Sequence, residues 1–167
     1  MKTIKIPYYT SSLDLHIQEE NLEAVINAKT DDYDPGKSET ELVEEALANP
    51  IGTLPLRELA RGKKKVTLVT SDHTRAVPSK LTLPILLREI REGNPDADIT
   101  ILIATGLHRP TTEAEQRRMF GDAIVDNEKI VVNEAFKDED FAYVRGLPSG
   151  AELWVNKVAL DCDLLIT

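Results

Sequence analysis

Two short apolar runs constrain this chain more than anything else in it: Val66-Thr67-Leu68-Val69-Thr70 and Ile99-Thr100-Ile101-Leu102-Ile103-Ala104. Each is β-branched, lacks polar/apolar alternation and ends directly on a polar loop, as expected of strands buried on both faces. Between them Lys80 to Arg91 has the spacing of an amphipathic helix, stopped by Gly93-Asn94-Pro95. A further helix ending at Phe120 and a short strand, Ile130-Val131-Val132, repeat the order. Strand, helix, strand, helix, strand predicts a parallel, doubly wound sheet. All strands of such a sheet end on one edge, where open α/β folds bind their ligands.

The flanking segments read differently. Thr3 to Ile6, Leu13 to Ile17 and Leu22 to Ile26 each alternate, with turns at Ser11-Ser12 and Glu20-Asn21, which predicts an amino-terminal β-rich segment. Ser38 and Glu41, like Thr112 and Glu115, have the spacing of a capping box. The first opens a helix carrying Leu42, Val43, Ala46 and Leu47; a shorter helix holds Leu56, Leu59 and Ala60 and stops at Gly62. Pro84 leaves two starts open for the helix before Arg91: Thr82 as cap, with proline in the first turn, or Ser79, with proline inside. Tyr143-Val144, Leu153 to Val155 and Leu164 to Ile166 predict further strands. The expected fold class is α/β, and 167 residues fit one domain spanning 1–167 that needs no disulfide or metal to fold.

A net charge of −9 argues against nucleic acid and anionic membrane as partners. No apolar run approaches the roughly 18 residues of a membrane span, and the start, Met1-Lys2-Thr3-Ile4-Lys5, lacks a signal-peptide core. The single cysteine, Cys162, cannot form an intramolecular disulfide. The expected location is cytoplasmic.

The chemistry-bearing residues lie in the loops after the two buried runs, Ser71 to Lys80 and Thr105 to Thr112. If the strands are neighbours they lie about 5 Å apart, which gathers Asp72, His73, Arg75 and His108 around one crevice. Arginine offers a planar fork for a carboxylate or phosphate. Histidine exchanges protons near neutral pH, and aspartate orients a histidine or accepts from a hydroxyl. Gly106 permits a backbone turn and close approach of a ligand, and the helix starts at Lys80 and Glu113 add N–H groups favourable to an anion. The plainer reading is a set of surface hydrogen bonds, with Asp72 and Arg75 paired in a turn. Elsewhere, Gly36-Lys37-Ser38 lacks the upstream glycine of a phosphate loop. Cys162 has no histidine near it and reads as structural, and Trp154 and Phe120 read as core residues.

At these loops the sequence resembles the nickel-pincer-dependent lactate racemase family. The matching stretches are Ser71-Asp72-His73-Thr74-Arg75 with Val77-Pro78-Ser79-Lys80, and Gly106-Leu107-His108-Arg109 leading into Thr111-Thr112-Glu113; Leu147-Pro148-Ser149-Gly150 and Val155-Asn156-Lys157 follow. Ala76 departs from the proline usual after that arginine. The resemblance implies a 2-hydroxyacid racemase or epimerase in which a nickel-pincer nucleotide takes hydride from the substrate's α-carbon while histidines move the hydroxyl proton. It implies His108 as a proton-transfer residue, Arg75 on the substrate carboxylate and Asp72 lining the site; His73 and Gly106 are accessory candidates without an assigned role. The family's second catalytic histidine, its cofactor-bearing lysine and its nickel-binding histidine have no counterpart here, and His16 lies in the amino-terminal β region. No metal site is therefore expected within these residues, the chain alone is expected to be inactive and to bind no cofactor, and the carboxy-terminal domain of the same enzyme is the expected partner. The alternatives are a non-catalytic anion- or carboxylate-binding domain and a relative acting on another 2-hydroxy acid.

Overall fold

The computed structural model describes the backbone of residues 1–167 and every side chain but that of Asp31. Two compact units divide it, Met1–Gly36 and Lys37–Thr167. In the first, β1 (Lys2–Tyr8) and β2 (Ser11–Ile17) form an antiparallel hairpin in unbroken register from Lys2 opposite Ile17 to Tyr8 opposite Ser11. Tyr9 takes the turn at φ 51°. Thr3 Oγ1 lies 2.9 Å from His16 Nδ1 across the strands, so His16 is engaged within the hairpin. The third strand expected over Leu22–Ile26 does not form; that stretch pairs with nothing, and Ile26 is almost wholly exposed. Alternation marks a segment able to be a strand, but a strand exists only where a partner completes its hydrogen bonds.

The second unit holds the predicted sheet. Its elements run α1 (Glu39–Ala48), α2 (Leu56–Leu59), β3 (Lys65–Ser71), α3 (Ser79–Gly93), β4 (Asp98–Ala104), α4 (Glu113–Phe120), α5 (Asp122–Asn127), β5 (Lys129–Val132), β6 (Phe141–Gly146), β7 (Glu152–Asn156), α6 (Lys157–Leu160) and β8 (Leu164–Ile166). Both capping boxes form as spaced: Glu41 N–H donates to Ser38 Oγ and Glu115 N–H to Thr112 Oγ1, while each glutamate reaches back to its cap. Such a cap is worth about 1 kcal/mol.

Four parallel strands lie in the order β5-β4-β3-β8. The chain steps outward from β3 to β5 and then returns to the other side of β3, so right-handed crossovers place helices on both faces. Val66, Leu68, Ile99, Ile101 and Ile103 pack with Leu83, Leu87 and Ile90 of α3. Each such side chain contributes about 1.5–3 kcal/mol on burial. On the opposite face Thr67 donates to the Val158 carbonyl of α6 at 3.1 Å.

Helix α3 takes the earlier of its two possible starts, at Ser79, and carries Pro84 inside. The carbonyl four residues back, which the missing N–H leaves without its helical partner, belongs to exposed Lys80. Helices α5 and α6, of 6 and 4 residues, were not expected; each is too short to show a period, and Gly121 reads as a stop although φ 89° merely turns the chain from α4 into α5. Phe120 is core as expected, but Trp154 is 52% exposed. It sits on β7 in the two-stranded β6–β7 ladder, edge-on to Tyr143 at 5.6 Å. Cys162 is half-buried and donates to the Ala159 carbonyl, as a structural thiol does.

Helix α2 is pinned to α3 by a fork of hydrogen bonds from Arg57 to Glu89, at 2.9 and 2.8 Å, and by an absence of side chain at Gly93. A Cβ on Gly93 would fall 1.9 Å from the Arg57 carbonyl oxygen, a backbone atom with no room to yield. Gly93→Ala is expected to lower stability by about 1–3 kcal/mol, read as a reduced urea midpoint.

Candidate functional site

Strands β3 and β4 pair in parallel with Thr70 opposite Ile103 and Ser71 opposite Ala104. Both chains therefore leave the sheet at the same level, and the first loop residues, Asp72 and Thr105, start side by side. The Thr70 and Ser79 hydroxyls, 3.2 Å apart, tie the end of β3 to the start of α3 and close the first loop at its base. Gly106 at φ 56° turns the second loop, and His108 N–H closes the turn on the Thr105 carbonyl at 3.0 Å. That left-handed conformation favours glycine, and here it folds His108 back toward β3.

The result is a buried carboxylate against a half-exposed imidazole. Asp72 Oδ2 lies 2.6 Å from His108 Nδ1, with side-chain exposures of 2% and 47%. A carboxylate only accepts, so Nδ1 carries the proton and Nε2 of the neutral ring keeps its lone pair. The other carboxylate oxygen, Oδ1, accepts from the Thr74 hydroxyl at 2.6 Å and the Thr74 N–H at 3.1 Å. Burial pushes the Asp72 carboxyl up, but the bonds from Thr74 and His108 outweigh it and hold it at about 2.

The two loop arginines have opposite fates. Arg109 gives two hydrogen bonds to Glu115, at 2.9 and 2.6 Å, and these hold Glu115 well below the usual carboxylate range with help from the Thr112 N–H. Arg75 is exposed and, among the described residues, its guanidinium has no partner; only its backbone N–H is used, on the Asp72 carbonyl. The turn expected between Asp72 and Arg75 is present, while the carboxylate itself faces His108. Asp72, Arg75, Gly106, Leu107 and His108 line an open groove of about 500 Å³. His73 goes elsewhere: its Nδ1 sits 3.2 Å from Thr111 Oγ1 and 3.9 Å from Glu115, at the head of α4.

Of the two helix starts, that of α4 is closed on itself by Thr112 and Glu115, whereas α3 has no side-chain cap. Thr74 and Thr111 were given no role from the sequence, and Glu115 only that of a helix cap; the threonine two residues after Asp72 is the one local signal, since that spacing favours a side-chain turn. Among the described residues no three histidine, cysteine or carboxylate side chains converge on a point where a metal would bind, and no helix is long and apolar enough to cross a membrane.

Comparison with known proteins bears on what this edge belongs to. The family described as the lactate racemase N-terminal domain matches residues 8–167. The chain belongs to that family. Two curated relatives named lactate racemase, from Thermoanaerobacterium thermosaccharolyticum and Lactiplantibacillus plantarum, are 45% and 44% identical over 99% and 100% of this chain. It spans 39% of the length of each. The structure of the lactate racemase apoprotein from T. thermosaccharolyticum superposes with a TM-score of 0.86 over 98% of this chain and 38% of its own, at 44% identity. A crystal structure of a Thermotoga maritima protein gives 0.57 over 75% of this chain and 32% of its own, at 25% identity. The α/β fold of this racemase-family chain is thus that of the lactate racemase amino-terminal part, with Asp72, Arg75 and His108 at the carboxyl edge of its sheet.

A carboxyl that binds its proton more weakly folded than unfolded loses its stabilising effect in acid. With Asp72 lowered from 3.8 to about 2, its contribution is complete above about pH 4 and disappears as pH falls through 2. Urea unfolding over this range is expected to show that slope in the parent protein and a shallower one in Asp72→Asn.

Proposed function

We propose that residues 1–167 form the substrate-binding amino-terminal domain of a 2-hydroxyacid racemase or epimerase of the lactate type. The observation that carries the proposal is the Asp72–His108 pair opening, at a sheet edge, on the same groove as the unpartnered Arg75. Family membership and the relatives' names support the reaction class.

The substrate carboxylate sits on the Arg75 guanidinium, whose fork accepts two oxygens at once. The 2-hydroxyl then faces His108 Nε2, which takes its proton and returns it afterwards. Asp72 holds the ring with its free lone pair outward and stabilises the imidazolium while it exists. Arg75 reads only the carboxylate, so the identity of the 2-hydroxy acid is set elsewhere.

The nickel-pincer nucleotide implied by the resemblance supplies, when bound, a hydride acceptor for the α-carbon. The described residues offer it no donor set, because Asp72 occupies His108 Nδ1 and His73 points to α4. Its anchors are accordingly assigned to the remainder of the enzyme. The carboxy-terminal domain is the proposed partner. The relatives' greater length supports this, and so do Leu107 and Phe136, 79% and 85% exposed, which line a second groove beside His108. A cytoplasmic location fits a chain with one cysteine.

In the full-length enzyme Arg75→Ala is expected to raise KM about 10- to 100-fold with a smaller change in kcat. His108→Ala is expected to lower kcat by about 10²–10⁴-fold. Racemisation of lactate and of other 2-hydroxy acids, followed by loss of optical purity, measures both; unchanged rates in both variants would refute the proposal.

A further inference from the structure

We infer that Thr74 is a positioning residue: its hydroxyl anchors one oxygen of the Asp72 carboxylate so that the other receives Nδ1–H of His108. The inference rests on the reading of His108 as the proton acceptor, and its geometry has three parts. Thr74 places both of its donors, hydroxyl and backbone N–H, on the same oxygen, Oδ1, at 2.6 and 3.1 Å. His108 Nδ1 contacts the other, Oδ2, at 2.6 Å. The Thr74 oxygen itself lies 3.4 Å from Nδ1. Because the hydroxyl proton is committed to Oδ1, only a lone pair of Thr74 is left to face the ring. That arrangement is attractive when Nδ1 bears the hydrogen and repulsive when it does not.

Burial makes the anchor necessary. Asp72 is 2% exposed, so water does not hold its carboxylate in place. A partial rotation about its last bond would carry one oxygen out of line with Thr74 and the other out of line with the ring. Removing the hydroxyl leaves the longer N–H bond alone on Oδ1, and the burial penalty on the charge is then less fully offset. The other charged and titratable groups near the pair do not do this job. Arg109 is engaged with Glu115, and His73 is turned to Thr111. Arg75 makes no side-chain bond to Asp72 among the described residues.

The test is nuclear magnetic resonance on labelled protein, independent of catalysis. Two-bond ¹H–¹⁵N correlations read which ring nitrogen of neutral His108 is protonated, and the Asp72 side-chain carbon reads its acid titration. The parent protein is expected to show Nδ1–H, with Asp72 titrating near 2. Thr74→Val is expected to lose about tenfold in preference for that ring form, the equivalent of one ordinary hydrogen bond. Its Asp72 midpoint is expected to move up toward 3.8. Thr74→Ser should restore both. If valine does not fold, Thr74→Ala removes the same hydroxyl without adding a methyl and carries the comparison. A variant without the hydroxyl that keeps the parent's ring form and Asp72 midpoint overturns the inference, as does a serine variant that behaves like valine. A parent protein with the proton on Nε2 would instead defeat the proton-acceptor reading of His108 itself.

Discussion

The parallel register of β3 and β4, with Ser71 opposite Ala104, determines where the chemically active side chains of the second unit arrive. Both strands are apolar on both faces, so sliding by one residue would exchange the face that packs on α3 with the face toward α6. Ile101 and Ile103, fully buried, hold the register on one side, and the Thr67 hydroxyl on the Val158 carbonyl holds it on the other. With register fixed, the loops begin at one level. Asp72 and His108, 36 positions apart in sequence, then meet at 2.6 Å. The site is a consequence of core packing before it is a matter of charge.

Charge then sorts the loop residues into those that build and those that are left to act. Arg109 is spent on Glu115, which in turn completes the cap of α4, so one carboxylate fixes both a helix start and a loop. His73 is turned to the same helix head through Thr111. Asp72 faces the hardest balance, since burial disfavours its charge, and Thr74 with His108 must overcome that penalty. What remains uncommitted is the guanidinium of Arg75 and the Nε2 side of His108, a cation and a base on one groove.

The strand–loop–helix order was legible because Val66–Thr70 and Ile99–Ala104 are buried on both faces and the capping boxes have fixed spacing. Asp72, Arg75 and His108 were legible as a group because parallel topology sends both loops to one edge. Their separate contacts were not, since residue type and spacing do not distinguish Arg75 from Arg109, or His73 from His108; only the family resemblance set them apart. That distinction depends on which way each loop turns, and Gly106 at φ 56° and the Thr74 anchor appear only in three dimensions. Leu22–Ile26 misled for the complementary reason, because periodicity describes a segment and pairing needs two. Trp154 misled because an aromatic residue in a two-stranded ladder can stay half-exposed.

The handedness of the site gives the proposed reaction its remaining requirement. A 2-hydroxy acid held by its carboxylate on Arg75 presents one arrangement of its hydroxyl to His108, and the mirror-image acid, held the same way, presents the hydroxyl elsewhere. One base beside one arginine therefore favours one enantiomer. Interconversion in both directions at comparable rates needs a second proton acceptor across the substrate, placed as nearly as possible in mirror relation to the first. His73 does not provide it, since it faces α4, and His16 is engaged with Thr3 across its own hairpin. The groove is open, and on the proposed reading the carboxy-terminal domain that covers Leu107 and Phe136 brings the second base with it.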